Sequence, residues 1–288
     1  MTPIGNKVQQ FYNTTPFPDY ELERFERKED LELLASPFAK ILDRSIPEDA
    51  SIIDVGTGTG QLSAFLSLRR KKVYGIDFSE SSLKKARALK NKLNLETWQL
   101  RHINIFDEKQ MKELGNFDYI LCLGVLHHTE DAYKGFQQIL HLAKPNAHIA
   151  VGLYNSFGRI PLNIRKFVVH SFSKENENVK EWFIKMQIGT TKDKEKKRGW
   201  WNDQYLHPHE TTHTIGEVLD WFQKNDVEFY QTTPSTKLFD ESITEIAGVW
   251  NKELHYPHIP TRTWTQIKWI WETHHEGGYW ITFGRKRG

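Results

Sequence analysis

Three groups of residues in this chain of 288 could do chemistry by type and spacing. The first is Asp54-Val55-Gly56-Thr57-Gly58-Thr59-Gly60. Glycines let the backbone turn sharply and approach a ligand closely. A helix opening near Gln61 would aim its free N–H groups and positive dipole end at this loop, which suits an anionic group. Dinucleotide-binding loops space their glycines G-x-G-x-x-G. The spacing here is G-x-G-x-G, which weighs against NAD or NADP. A purely structural turn is the bland alternative. The second group is Asp77, at the end of the next apolar run. In an open α/β sheet a carboxylate there faces the ribose hydroxyls of a bound nucleoside and can accept from both. The competing reading makes Asp77 a cap for the helix that starts near Ser79.

The third group is histidine-rich. His127 and His128 follow a fourth apolar run, and Asp203-Gln204-Tyr205-Leu206-His207-Pro208-His209-Glu210-Thr211-Thr212-His213 precedes a later helix. An imidazole titrates near pH ~6.5, which suits proton removal. Its alternative role is to wall a pocket. Metal binding by the later segment would need His207, His209 and His213 to converge with Asp203 or Glu210. Ligand binding is the favoured reading of that segment, and no metal site is expected. Cys122 is the single cysteine, inside Tyr119-Ile120-Leu121-Cys122-Leu123, and reads as a buried core thiol.

The elements that must position these groups alternate. Ser51–Val55, Lys72–Asp77, Trp98–Ile103, Phe117–Leu123 and Ala147–Leu153 read as strands. Helices are predicted over Gln61–Arg70, Ser79–Asn91 and about Thr129–Leu142, which implies a parallel sheet covered on both faces. Asp30–Leu42 reads as one helix before this core. The leader Phe11–Tyr20 is aromatic and proline-punctuated, and is expected to be irregular and to lie over the core. Beyond the core, Ile215–Lys224 reads as an amphipathic helix, Val227–Thr232 as a sixth strand and Tyr279–Phe283 as a last one.

Residues 52 to 153 resemble the class I S-adenosylmethionine-dependent methyltransferases, in particular the ubiquinone/menaquinone-biosynthesis-like small-molecule group. The resemblance rests on Ile53–Gly60, on Gly75-Ile76-Asp77-Phe78-Ser79, on Phe117-Asp118-Tyr119-Ile120 running to Gly124-Val125-Leu126-His127-His128, and on Leu142-Ala143-Lys144-Pro145-Asn146-Ala147. It departs from the family at Asn146-Ala147, where a glycine is usual. The resemblance implies a doubly wound, seven-stranded, mostly parallel α/β sheet of Rossmann-like type with helical lid insertions. Tyr279–Lys286 would be its antiparallel last strand. It implies S-adenosyl-L-methionine as cofactor. Gly56, Gly58 and Gly60 would lie against the methionine part, Asp54 near its amino group, Asp77 on the ribose and Asn104 toward the adenine amino group. Leu123 and Gly124 would pass the cofactor, with Thr57, Gln61, Phe78, Ser79, Ile105 and His128 completing the set.

Methyl transfer from a sulfonium is a direct displacement, so the enzyme mainly orients; orientation alone is worth about 7–11 kcal/mol. A base is needed only if the acceptor atom must lose a proton. His128, then His127 and Tyr154, are the candidates for catalysis. Tyr12, Asn155, Trp200, Trp201, Asp203, Tyr205, His207 and His209 are the candidates for acceptor binding. The division expected is a cap segment over 1–45, a cofactor-binding core over 46–155, a lid over 156–210, and the rest of the core over 211–288 with a second helical insertion at 238–276. Nine of the ten tryptophans lie beyond residue 180. Most of them, including Trp182, Trp250, Trp264, Trp269 and Trp271, read as the small cores of these insertions.

Composition bounds the partners. Hydrophobic residues at 38% and charged residues at 26% describe an ordinary globular chain. The net charge of +2 gives no general push toward nucleic acid. The basic run Lys192–Arg198 is broken by two acids and reads as a solvated face. No stretch is apolar enough to cross a bilayer and no signal-peptide pattern stands at the N-terminus, so a cytoplasmic location without membrane partners is expected. A small-molecule acceptor is the leading reading. Methylation of RNA or protein is the alternative, and a cofactor-binding module without catalysis is a third possibility. The sequence assigns no oligomeric state.

Overall fold

The computed structural model describes residues 2–172, 194–236, 248–252, 256–273 and 277–288. Seven strands form one sheet: β1 (Ser51–Val55), β2 (Lys72–Asp77), β3 (Trp98–His102), β4 (Phe117–Leu123), β5 (Ala143–Tyr154), β6 (Val227–Thr233) and β7 (Tyr279–Lys286). Their order across the sheet is β3-β2-β1-β4-β5-β7-β6. β1 to β5 pair in parallel, while β7 runs antiparallel to both β5 and β6. The doubly wound sheet expected from the sequence is therefore present, with its last strand inserted between the fifth and sixth. The left-handed turn at the start of β5 falls on Asn146, at φ 66°. Asparagine tolerates that conformation, so the missing glycine leaves the turn in place.

Period-two alternation places successive strand residues on opposite faces. Ile53, Val55, Ile120 and Cys122 join a core with Phe136, Phe222, Trp269 and Trp280. Ile52, Val73 and Leu121 join a second core with Leu42, Phe65, Leu66, Leu89 and Trp98. Cys122 is fully buried, as its apolar neighbours predict. The helices around the sheet are α1 (Pro3–Thr14), α2 (Lys28–Leu34), α3 (Pro37–Ser45), α4 (Gln61–Leu66), α5 (Glu80–Leu93), α6 (Glu108–Glu113), α7 (Ala132–Leu140), α8 (Ile160–Phe172), α9 (Lys194–Trp201), α10 (Ile215–Lys224) and α11 (Ile259–Glu272). A 3₁₀ turn spans Leu126–His128, and a π-helical turn spans Asn202–Leu206.

Several boundaries differ from the sequence reading. The leader is helical to Thr14, because Thr2 caps α1 and Pro3 takes its first turn. Residues 30–42 are two helices, because Ser36-Pro37 ends one and caps the next. α4 ends at Leu66, short of Arg70. The fully buried Arg70 side chain bonds Asp43, Ile46 and Pro47 and so ties α3 to that end. α7 starts at Ala132, capped by Asp131, not at Thr129. Trp182, Lys192, Asp193 and parts of both insertions lie outside the described residues.

Candidate active site

The glycine loop leaves β1 and enters α4. Gly56 N and Thr57 N both donate to the carbonyl of Ile76, at 2.8 and 2.9 Å, which pins the loop to β2. Gly56, Gly58 and Gly60 all have positive φ, a region that only glycine visits without strain. A Cβ on Gly56 would strike Val125, on Gly58 the carbonyl oxygen of Phe17, and on Gly60 the ring of Trp98. The three glycines thus differ in use. Gly56 and Gly58 line a cavity of about 1630 Å³, while Gly60 packs on Trp98 outside its lining.

Two of the carboxylates that line this cavity, Asp54 and Asp77, belong to the glycine cradle. Asp54 Oδ2 accepts from Thr57 Oγ1 at 2.7 Å, and Thr57 Oγ1 lies 2.5 Å from Ser63 Oγ. Burial pushes the Asp54 carboxyl up to about 6, although both hydroxyls pull the other way. Asp77 Oδ2 accepts from Gly58 N at 2.8 Å, and Oδ1 accepts from Ser79 N at 2.7 Å. Burial raises its pKa too, against those N–H donors. Ser79 itself caps α5, so Asp77 is spared that task. Each Asp77 oxygen keeps a lone pair for a further donor. The cavity continues past β3 along His102, Asn104 and Ile105; Asn104 Oδ1 accepts from Phe106 N at 3.0 Å.

The leader roofs the loop, as its apolar composition suggests. Thr59 N donates to the Phe17 carbonyl at 3.3 Å, Thr59 Oγ1 to the Pro18 carbonyl at 2.6 Å, and Tyr20 Oη to the Thr59 carbonyl at 2.9 Å. α1 is tied alongside. Gln9 Nε2 donates to the Phe78 carbonyl at 2.8 Å, and Ser81 Oγ to the Tyr12 carbonyl at 2.9 Å.

The other end of the cavity lies at the C-terminal ends of β4 and β5. His128, Tyr154, Tyr12, Asp203 and Gln204 line it. Asp203 sits on the π-helical turn and accepts from Tyr12 Oη at 3.1 Å, Tyr154 Oη at 3.4 Å and Gln204 Nε2 at 2.9 Å. His128 Nδ1 lies 3.1 Å from the His209 carbonyl. A carbonyl only accepts, so Nδ1 carries the proton and Nε2 is left to accept one. Burial holds the His128 pKa down at about 4, so the ring is neutral at physiological pH. His207 packs against it at 3.7 Å between centroids, and its Nδ1 accepts from His209 N at 3.2 Å. Behind this wall, Arg159 is fully buried. It bonds Glu210 through Nε at 2.8 Å and through Nη2, and Gln204 Oε1 and the Gly277 carbonyl through Nη1. Its guanidinium lies 3.6 Å from the centre of the Tyr154 ring.

Of the residues singled out in the sequence, the cavity brings together Tyr12, Asp54, Gly56, Thr57, Gly58, Gln61, Asp77, Phe78, Asn104, Ile105, Leu123, Gly124, His128, Tyr154 and Asp203. Others fall outside its lining. His127 is fully buried behind His128, with both ring nitrogens unpartnered and its ring 4.1 Å from that of Tyr154. Asn155 is a buried hub: its amide donates to Gln266 and the His213 carbonyl and accepts from Phe157 N and Gly158 N. Trp201 stacks on Tyr205 at 4.2 Å, with Trp200 at 6.0 Å, so these rings brace the turn that carries Asp203. His209 and His213 do not converge. His209 Nε2 turns to the Thr129 carbonyl, and His213 to Thr211 and Glu217. Sequence reasoning passed over Gln204, Tyr279 and Arg159. Gln204 follows Asp203 directly, and Arg159 stands in the turn after β5, where strand ends face the ligand. That position was the available signal.

The sequence profile of a family described as a methyltransferase domain matches residues 46–225. A tRNA U34 carboxymethyltransferase from Idiomarina loihiensis is 31% identical over 101 residues, covering 35% of this chain and 31% of that protein. A ubiquinone biosynthesis O-methyltransferase from Alkalilimnicola ehrlichii is 31% identical over 108 residues, covering 38% of this chain and 43% of that protein. The chain spans less than half the length of these curated relatives. Among solved structures, PKMT2 from Rickettsia typhi in complex with AdoHcy aligns with a TM-score of 0.60, at 16% identity, over 88% of this chain and 54% of that one. The profile covers more than half of the chain, which therefore belongs to the methyltransferase-domain family, with the fold of the class I S-adenosylmethionine-dependent enzymes.

Proposed function

We propose that this chain transfers a methyl group from S-adenosylmethionine to a small-molecule acceptor. One observation carries the reading: a single cavity joins the glycine cradle, with Asp54 and Asp77, to the buried cluster of His128, Tyr154 and Asp203. The cradle suits the cofactor. Its glycines admit no side chain, Asp77 offers carboxylate acceptors to a ribose, and Asp54 offers a buried negative charge to an ammonium. When bound, the sulfonium supplies an electrophilic methyl; the acceptor's lone pair forms the new bond while sulfur keeps the electron pair of the broken one. The protein's share is orientation and exclusion of water. His128 and Tyr154 are 5% exposed and Asp203 is 4% exposed, so a compact acceptor suits this end better than a macromolecule. His128 Nε2 is placed to take a proton from an acceptor that carries one. The segment 194–210 acts as a lid whose aromatic stack holds Asp203 and Gln204 in the wall.

Calorimetric titration with S-adenosylhomocysteine tests the cofactor reading, with NAD as control. Binding of the first and silence of the second is the expected outcome. Absence of S-adenosylhomocysteine binding would sink it. The RNA alternative predicts measurable RNA binding at low salt, where phosphate attraction is strongest.

A further inference from the structure

The cavity has a charge pattern that selects its second occupant. Six carboxylates line it, from Asp54, Asp77, Asp107, Glu108, Glu130 and Asp203, and among the described residues no lysine or arginine does. Asp54 and Asp77 belong to the glycine cradle. Asp203 belongs to the opposite end, beside His128 and Tyr154, and is 4% exposed. Its hydrogen-bond donors are two phenols and an amide, all neutral. The neighbouring cations are committed elsewhere. Arg159 bonds Glu210, Gln204 and a carbonyl, and Lys166 Nζ lies 3.3 Å from Glu210 Oε2. Asp203 is thus a buried carboxylate in a cavity wall, held by neutral partners. Such a group is costly until a counter-charge arrives.

Its surroundings name the counter-charge. The rings of Tyr12 and Tyr154 flank His128 at 6.1 and 5.9 Å. Tyrosine faces attract cations as well as apolar groups; the Tyr154 ring already carries the Arg159 guanidinium at 3.6 Å, so Tyr12 supplies the ring for a ligand cation. The lining also holds an apolar group, Leu34, Phe38, Leu62, Phe65 and Ile281.

We infer that the acceptor is an amine carried on an apolar body, held as its ammonium by Asp203 beside the Tyr12 ring; it gives one proton to His128 Nε2, and the freed lone pair then takes the methyl while sulfur keeps the electron pair of the broken bond. This rests on the reading of the cavity as a methyl-transfer site. The same wall repels carboxylate- and phosphate-bearing acceptors, because like charges brought together in a desolvated site are strongly unfavourable.

The test uses three isosteres on one apolar body: tryptamine, tryptophol and indole-3-acetate. Each is titrated calorimetrically into protein saturated with S-adenosylhomocysteine. Tryptamine is expected to bind about tenfold or more tightly than tryptophol, and indole-3-acetate weakest. In Asp203→Asn the gap between tryptamine and tryptophol closes. Should that variant not fold, the three ligands on the parent protein still decide the matter. Tryptamine binding no better than indole-3-acetate, or not at all, overturns the amine proposal. Failure of S-adenosylhomocysteine to bind in the first titration overturns the methyl-transfer reading instead, so the two failures are distinguishable.

Discussion

Asp77 accepts from Gly58 N and Ser79 N, and the proposed function gives its carboxylate a ribose as well. Its place at the end of β2 pointed to a ribose. Its bonds to Gly58 N and Ser79 N became visible only with the loop folded back on it. Asp77→Ala should therefore weaken S-adenosylhomocysteine binding and also leave two buried N–H groups unpaired, at about 1–3 kcal/mol each. Calorimetry and thermal melting measure the two effects separately. Asp54 makes a pH-dependent prediction. An aspartate in the unfolded chain titrates near ~3.9; burial raises Asp54 to about 6 in the fold. The folded state thus holds this proton more tightly, and the destabilisation grows from pH ~4 to ~6, reaching about 3 kcal/mol above that. Asp54→Asn should melt higher than the parent at pH 7.5 and lose that advantage at pH 4, while binding S-adenosylhomocysteine more weakly. Neighbouring Asp77 and Cys122 are unchanged between the two proteins, so the difference reports Asp54. At His128 the hydrogen bond to the His209 carbonyl fixes which nitrogen is available. His128→Asn keeps a donor near that carbonyl and removes Nε2. If the acceptor proton leaves in the slow step, turnover should fall about 100-fold or more, read as kcat with S-adenosylhomocysteine affinity as the control.

Elements were read well where a hydrophobic period and a cap agreed, as in α5 and α10, which Ser79 and Thr214 cap. They were misread where proline carried the information. Pro37 splits residues 30–42 into α2 and α3, and Pro3 opens α1. Pro16 and Pro18 made the whole leader look irregular, although its first part is a helix that lies against α5. The glycine loop was legible as a motif, yet the separate role of Gly60 was not, because its partner Trp98 comes from β3. Gly60→Ala should cost about 1–3 kcal/mol from overpacking, with added strain from its φ of +83°. A chemical melt of that variant beside the parent checks this.

At the scale of the whole molecule, the buried Arg159 joins parts far apart in the chain: the start of α8, the π-helical turn through Gln204, the loop through Glu210 and the turn at Gly277 before β7. No local pattern could show this, since its partners lie 45 to 118 positions away. Arg159→Met should destabilise by about 3–5 kcal/mol, because Glu210 is left largely buried with Lys166 as its one cation partner among the described residues. A denaturant titration measures it. The sheet order has a consequence for how the chain is made. Among the described residues β6 pairs with β7 and with no other strand, so Val227–Thr233, once synthesised, joins the sheet only after Tyr279–Lys286 has followed. The last strand then enters as a wedge between two strands already present, bonding one with each edge. This half of the sheet closes late and by long-range contacts, which are slow to form, and during that interval β5 and β6 each expose a bare edge to whatever else is nearby.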